Sequence, residues 1–221
     1  MLHFDIKNQR IYRWISILFI TFGLFGTQSA MAHPHSFIEM KNSLVITDNQ
    51  LTGMKMKWTM DPLTSADLLY DAGNAANGSE IWKQLAAEVM ANVIGQHYFT
   101  ELYHEGKKVK FLNRPSEYHL SREGNHAILS FEMLLAKPQP LNAEFTLMTY
   151  DPTYYVDMTY ADDKSVTLPI DVQARCTLNV ITPKPDTSLK AYALNLDKAD
   201  APDEDMELGK QFAQRVEIKC H

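Results

Sequence analysis

Leu51-Thr52-Gly53-Met54-Lys55-Met56-Lys57-Trp58-Thr59-Met60-Asp61-Pro62 alternates apolar and polar side chains from Met54 to Met60, then stops at an Asp-Pro pair. A period of two puts Met54, Met56, Trp58 and Met60 on one face of a strand and Lys55, Lys57 and Thr59 on the other, so the strand is expected to be half buried. Upstream, a second strand-like run begins at Ser36, and Asp48-Asn49 between the two is a turn signal; together they predict a hairpin. Downstream, Asp61 offers an N-cap oxygen and Pro62 suits the first helical position, which predicts a short helix to about Tyr70.

Working outward, residues 71–78 are polar and contain glycine, as a loop does. Trp82, Leu85, Ala86, Val89, Met90 and Val93 then recur at helical spacing and Gly95 follows, predicting a helix over 79–94. Beyond it lie strand candidates at 98–103, 108–112, 117–121, 127–135, 143–150, 154–160 and 176–181, with a short helix near 207–213 and a last strand at 215–220. Pro183-Lys184-Pro185 and the acidic residues 197–207 read as exposed connections. Strands grouped this way, without intervening helices, exclude repeated βαβ units. The expectation is one α+β domain over residues 33–221, with mostly antiparallel β-sheets and a helical insertion after the first hairpin.

Residues 1–32 have the three regions of an export signal: Lys7, Arg10 and Arg13, an apolar run over 14–25, and Ala30-Met31-Ala32 before the expected cut. The apolar run is short for a bilayer crossing and ends in Gly26-Thr27-Gln28-Ser29, so a cleaved leader is expected rather than an anchor. A periplasmic location follows, with no stable membrane insertion after cleavage. The leader holds three of the 21 basic residues and one of the 27 acidic ones, so the remaining 189 carry 18 against 26, a net charge of -8. That balance argues against nucleic acid or anionic lipid as partners. Cys176 and Cys220 are the two cysteines, and in an oxidising compartment a disulfide between them is the default. The rival, Cys220-His221 as metal ligands, lacks further donors nearby in sequence.

Cleavage after Ala32 would make His33 the first residue, with a free α-amine, its own imidazole and the imidazole of His35 within three residues. Such nitrogen donors suit zinc, nickel, cobalt or copper. Pro34 sharpens the reading: a terminal amine and a third-position His usually wrap a square-planar ion through deprotonated backbone nitrogens, and Pro has no N–H to lose. The closed wrap is blocked, leaving open coordination positions that suit transfer. A frayed edge strand is the alternative account of both histidines. Met54, Met56 and Met60 are read as core filler rather than copper(I) ligands. His97, His104, His119 and His126 show no ligand spacing. Asp151, in Tyr150-Asp151-Pro152-Thr153-Tyr154-Tyr155, would give a carboxylate to a metal or orient an imidazole; Asp61 is a similar candidate that N-capping also explains. No phosphate loop, Ser-His-Asp signature or zinc-protease helix motif is present, and the chain is read as a non-enzyme.

His33-Pro34-His35-Ser36-Phe37-Ile38, Leu51-Thr52-Gly53 leading to Trp58-Thr59-Met60-Asp61, and the Tyr150–Tyr155 run together resemble the domain of unknown function 1007 family through nearly the whole mature chain. Met60 stands where that family commonly has Phe. The resemblance implies a periplasmic accessory of transition-metal transport working with an inner-membrane permease for nickel, cobalt or zinc. It supports His33 and His35 as binding residues, with Asp61 and Asp151 behind them. Two other classes remain open: a copper-dependent redox enzyme using a terminal-His chelate, and an envelope interaction or assembly protein that binds no metal.

Overall fold

The computed structural model describes residues 34–196 and 207–221. The expected leader, His33 and residues 197–206 lie outside them. Among the described residues the chain forms β1 (Ser36–Thr47), β2 (Gln50–Met60), α1 (Pro62–Ala72), α2 (Glu80–Gly95), β3 (Thr100–His104), β4 (Lys107–Val109), β5 (Glu117–Glu123), β6 (His126–Pro140), β7 (Glu144–Thr149), β8 (Val156–Thr159), β9 (Val166–Thr167), β10 (Cys176–Ile181), α3 (Thr187–Asn195), α4 (Leu208–Phe212) and β11 (Arg215–Cys220). This is the α+β arrangement expected, with both α1 and α2 inserted after the first hairpin.

The opening hairpin turns through Asp48 and Asn49, both with positive φ, as a two-residue turn that matches strand twist requires. The alternating face of β2 is buried: Met54 is 0% exposed, Met56 2% and Trp58 2%. These side chains oppose Met133, Phe131 and Leu129 of β6, with Trp58 edge-on to Phe131 at 5.0 Å between ring centres. The thioethers are thus core packing. The helix α2 buries Trp82, Leu85, Ala86, Met90 and Val93 in the same core. Its neighbour α1 runs two residues past the expected end and stops where Gly73, at φ +53, returns its N–H to Leu69 O and Tyr70 O.

Two sheets result, in the orders β5-β6-β2-β1-β8, with β9 also beside β1, and β10-β11-β7-β3-β4. Most pairings are antiparallel, but β1 pairs β8 and β9 in parallel, joining residue 36 to residue 156. Both sheets contribute to one apolar core, Met40 and Leu129 from the first and Phe145, Leu147 and Val216 from the second. Cys176 and Cys220 sit opposite each other on β10 and β11 and are disulfide-bonded. Closing that loop, with a sequence separation of 44, contributes about 4 kcal/mol in the chain-entropy picture. Among the described residues no helix is long and apolar enough to cross a membrane.

Three local expectations are corrected. The strand expected from Tyr98 starts at Thr100, because His97, Tyr98 and Phe99 all take left-handed φ and reverse the chain after α2. The strand expected over 108–112 ends at Val109, with Phe111 making one isolated bridge to Leu135. The strand expected from Tyr154 starts at Val156, since Tyr154 has φ +60 and belongs to a corner. A helix that the sequence reading passed over, α3, follows the Pro-containing connection and is capped by Asp186, whose side chain accepts from Leu189 N–H at 2.8 Å.

Candidate functional site

The amino-terminal end of β1 is held from two sides. On one, the His35 N–H donates to Tyr155 O at 2.9 Å, extending the parallel β1–β8 pairing by one step. The His35 ring lies 4.9 Å from that of Tyr155, tilted by 45°. On the other, the Phe37 N–H donates to Asp61 Oδ2 at 2.8 Å, the Asp61 N–H returns a bond to Phe37 O at 3.0 Å, and the Ser36 and Thr64 hydroxyls meet at 2.6 Å. Residues 35–37 therefore have a fixed backbone, and His33, two residues before His35, lies outside the described residues.

Asp61 is committed to this clamp. Its Oδ1 accepts from Leu63 N–H and Thr64 N–H, and its Oδ2 from Phe37 N–H and the Thr64 hydroxyl. Four donors fill the acceptor sites of a carboxylate, so capping and clamping account for Asp61 without a metal. Burial works against its charge, but the hydrogen bonds from Thr64, Phe37 and Leu63 outweigh it and hold the pKa below the ordinary 3.8. A lowered folded-state pKa adds stability that is complete above the unfolded value and fades as pH falls through the folded one. Asp61→Ala is expected to cost about 2 kcal/mol, the lost cap plus an orphaned Phe37 N–H. Urea denaturation at neutral pH checks this, and a cost under about 0.5 kcal/mol would mean that water replaces the carboxylate.

Asp151 is 8% exposed and shapes the corner that leads into β8. Its Oδ1 accepts from Thr153 N–H at 3.0 Å and the Thr153 hydroxyl at 2.9 Å, while Oδ2 accepts from Val156 N–H at 3.0 Å. This is an Asx turn, and it sets Tyr155, the residue to which His35 is bonded. Gly209 of α4 presses on the same corner, its N–H donating to Pro152 O at 3.0 Å. Asp61 and Asp151 thus support the two flanks of the His35 segment through backbone geometry.

A third carboxylate, missed in the sequence, lines the same cleft as Pro34. Asp157 of β8 pairs with Phe37 of β1 and shares a sheet face with it. It lines a cleft of about 400 Å³ together with Pro34, Tyr154, Pro183, Lys190 and Phe212. Burial raises its pKa, and among the described residues its carboxylate has no hydrogen-bond or ion-pair partner. Tyr154 beside it is pushed up to about 12 by burial and by the Asp157 charge. In the sequence Asp157 looked like an ordinary polar position on a strand; only the parallel pairing brings it to Pro34.

A second cleft, of about 610 Å³, is bounded by the left-handed 97–99 turn, Glu101, Lys108, Phe111 and Tyr150. Glu101 accepts from Lys108 Nζ at 2.5 Å and the Tyr103 hydroxyl at 3.2 Å, with Lys210 Nζ of α4 at 3.4 Å. Burial opposes the Glu101 charge, but Lys108, Tyr150 and Lys210 together hold its pKa below the usual range. This cluster pins α4 to the second sheet. The remaining histidines are dispersed: His104 bonds Gln139 Oε1 at 2.9 Å and stacks on Phe145, and His126 Nδ1 is 2.7 Å from Met60 O. Among the described residues no three His, Cys, Asp or Glu side chains form a group that would hold a metal.

Residues 18–220 match the model of a family described as "Protein of unknown function (DUF1007)". An uncharacterized protein of Haemophilus influenzae is 40% identical over 200 residues, which cover 90% of this chain and 96% of that protein.

Proposed function

The chain belongs to the DUF1007 family, and on that premise we propose that it is an exported accessory protein that carries one transition-metal ion at its amino terminus, held by His33 and His35, in exchange with an inner-membrane metal permease. The observation that carries this reading is the double clamp on residues 35–37, which holds His35 at a fixed strand end. Fixing the backbone of a donor removes part of the entropy cost of binding. Pro34 denies the ion a closed backbone wrap, and an incompletely coordinated ion can be passed to another protein's ligands. The Cys176–Cys220 disulfide fits an oxidising compartment outside the cytoplasm. The ion is cargo; zinc, nickel, cobalt and copper all suit nitrogen donors.

The test is calorimetric titration of chain beginning at His33 with each of the four ions. One ion per chain is expected, with affinity at least about tenfold weaker in His33→Ala and His35→Ala, each lost donor being worth 1.4 kcal/mol or more. Absence of uptake for all four ions overturns the proposal.

A further inference from the structure

We propose that the cleft between the β3–β4 hairpin and the end of β6 is an anion site that takes inorganic phosphate, held by Lys107, Lys110 and Lys137 and told apart from sulfate by His104. The site goes beyond the metal-binding reading above and is independent of it, since no residue of the amino-terminal segment takes part.

The turn at Glu105 and Gly106, both with positive φ, folds β4 back on β3. Just beyond β4 the chain is fastened to β6, where the Ala136 N–H donates to Lys110 O at 2.8 Å. Four lysines thereby come to one concave surface: Lys107, Lys108, Lys110 and Lys137 line a cleft of about 490 Å³ together with His104 and Gln139. Lys108 is taken by Glu101. The ammonium groups of Lys107, Lys110 and Lys137 have no ion-pair or hydrogen-bond partner among the described residues. Glu105, the carboxylate on the same wall, accepts from the Glu144 N–H at 3.1 Å. Four positive charges thus stand against one negative on this wall, in a chain where 27 acidic residues outnumber 21 basic ones. Like charges gathered in a cleft concentrate counter-ions there whatever the net charge of the molecule. The acid excess that argues against anionic partners holds for the surface as a whole and is locally reversed here.

The His104 ring sets which anion fits. It stacks on Phe145 with 4.7 Å between ring centres, and its Nδ1 lies 2.9 Å from Gln139 Oε1. Gln139 Nε2 donates to Lys137 O at 2.8 Å, which fixes the amide with its oxygen toward the ring, so Nδ1 is the donor. In the neutral ring Nε2 is then a bare lone pair, and it is buried without a partner. An unmatched buried acceptor is costly. The ligand that serves both features brings negative oxygens for the ammonium groups and an O–H for Nε2. Inorganic phosphate keeps at least one P–OH at neutral pH. Sulfate has none, nor has a phosphodiester such as that of a lipid headgroup, and a phosphomonoester has lost most of its second proton above its pKa of about 6.

The test is calorimetric titration of metal-free protein beginning at His33 with inorganic phosphate and with sulfate, at neutral pH and low salt. Phosphate is expected to bind with a Kd at or below about 1 mM and at least about tenfold more tightly than sulfate, the scale of one added hydrogen bond. Lys107→Gln, Lys110→Gln and Lys137→Gln combined weaken both anions at least about tenfold, while Lys164→Gln, Lys184→Gln and Lys190→Gln combined, equally exposed lysines outside the cleft, change both by less than about twofold. His104→Phe keeps an aromatic ring over Phe145, lowers phosphate to the affinity of sulfate and leaves sulfate as it was. Melting of each variant controls for the fold. Equal wild-type affinities for phosphate and sulfate overturn the proposal, as does unchanged phosphate binding in the cleft triple variant or an equal loss in the other triple, which marks bulk charge. Tighter binding to phosphatidylglycerol vesicles than to free phosphate makes the cleft a membrane contact and overturns it too. If His104→Phe does not fold, the wild-type preference for phosphate over sulfate decides alone.

Discussion

On the proposed reading, a chain that begins at His33 is expected to bind zinc about a hundredfold more tightly than the same chain with one extra residue in front, close to 3 kcal/mol in binding free energy. The extra residue turns the His33 amine into an amide, whose nitrogen lone pair is drawn into the planar peptide bond and is no longer available to a metal. The imidazoles of His33 and His35 survive the change, so what is lost is one donor and the chelate ring that it closes with the His33 side chain. The fold should not respond, because the bonds that fix β1 begin at His35 and involve Tyr155 and Asp61. Chelator competition on both proteins, with melting as the control, decides the matter. Equal affinities would remove the amine from the ligand set and leave at most a two-imidazole site.

Replacing Gly209 by Ala is the most damaging single methyl that the structure exposes. A Cβ there would stand 1.7 Å from Asp151 O, 2.8 Å from Asp151 C and 3.3 Å from Tyr154 N. These are backbone atoms and cannot rotate aside. Either α4 lifts away, giving up the Gly209 N–H bond to Pro152 O and the buried Leu208, or the Asp151 corner opens and takes Tyr155 with it. Overpacking of this kind costs about 3 kcal/mol, equivalent to a melting point lower by roughly 6 to 12 °C in a domain of this size. Scanning calorimetry measures the stability, and a melting point within about 2 °C of wild type would show that the helix shifts without loss. Because the corner holds the acceptor for the His35 N–H, metal affinity should weaken in the same variant.

The parts of the molecule that were legible in the sequence are those whose cause is local. Met54 to Met60 announces its strand by a period of two, Asp61-Pro62 announces α1 through capping, and Trp82 to Val93 announces α2 by helical spacing. The cysteine pair was legible from the count of two and the expected export. Where the reading failed, distance along the chain or weak local signal was the reason. Tyr98 and Phe99 look like strand formers, yet the end of α2 must turn back toward the second sheet and forces them into left-handed geometry. The helix α3 has little amphipathic pattern, and its one signal, Asp186 three residues before Leu189, was an ordinary Asp beside prolines. The pairing of β1 with β8 spans well over a hundred residues and leaves no trace in either segment, so Asp157 could not be connected to Pro34. For the same reason Asp61 and Asp151 were visible as carboxylates in conspicuous motifs, while their engagement with Phe37 and Val156 was not.

The first and last strands both lie inside their sheets, β1 between β2 and β8, and β11 between β10 and β7. This has a consequence for the order in which the molecule assembles as its chain becomes available from the amino terminus. The amino-terminal strand can pair with β2 early, but its other neighbour is some hundred residues behind it, and β7 and β10 have no common partner until residues 215–220 arrive. The first sheet waits for residues 156–167 and the second for residues 215–220, so the second cannot be completed until almost the whole polypeptide is available. The cysteine bridge, whose second half sits on that final strand, can then act only as a late seal on the second sheet, whereas the β1–β8 seam can close once residue 159 is available.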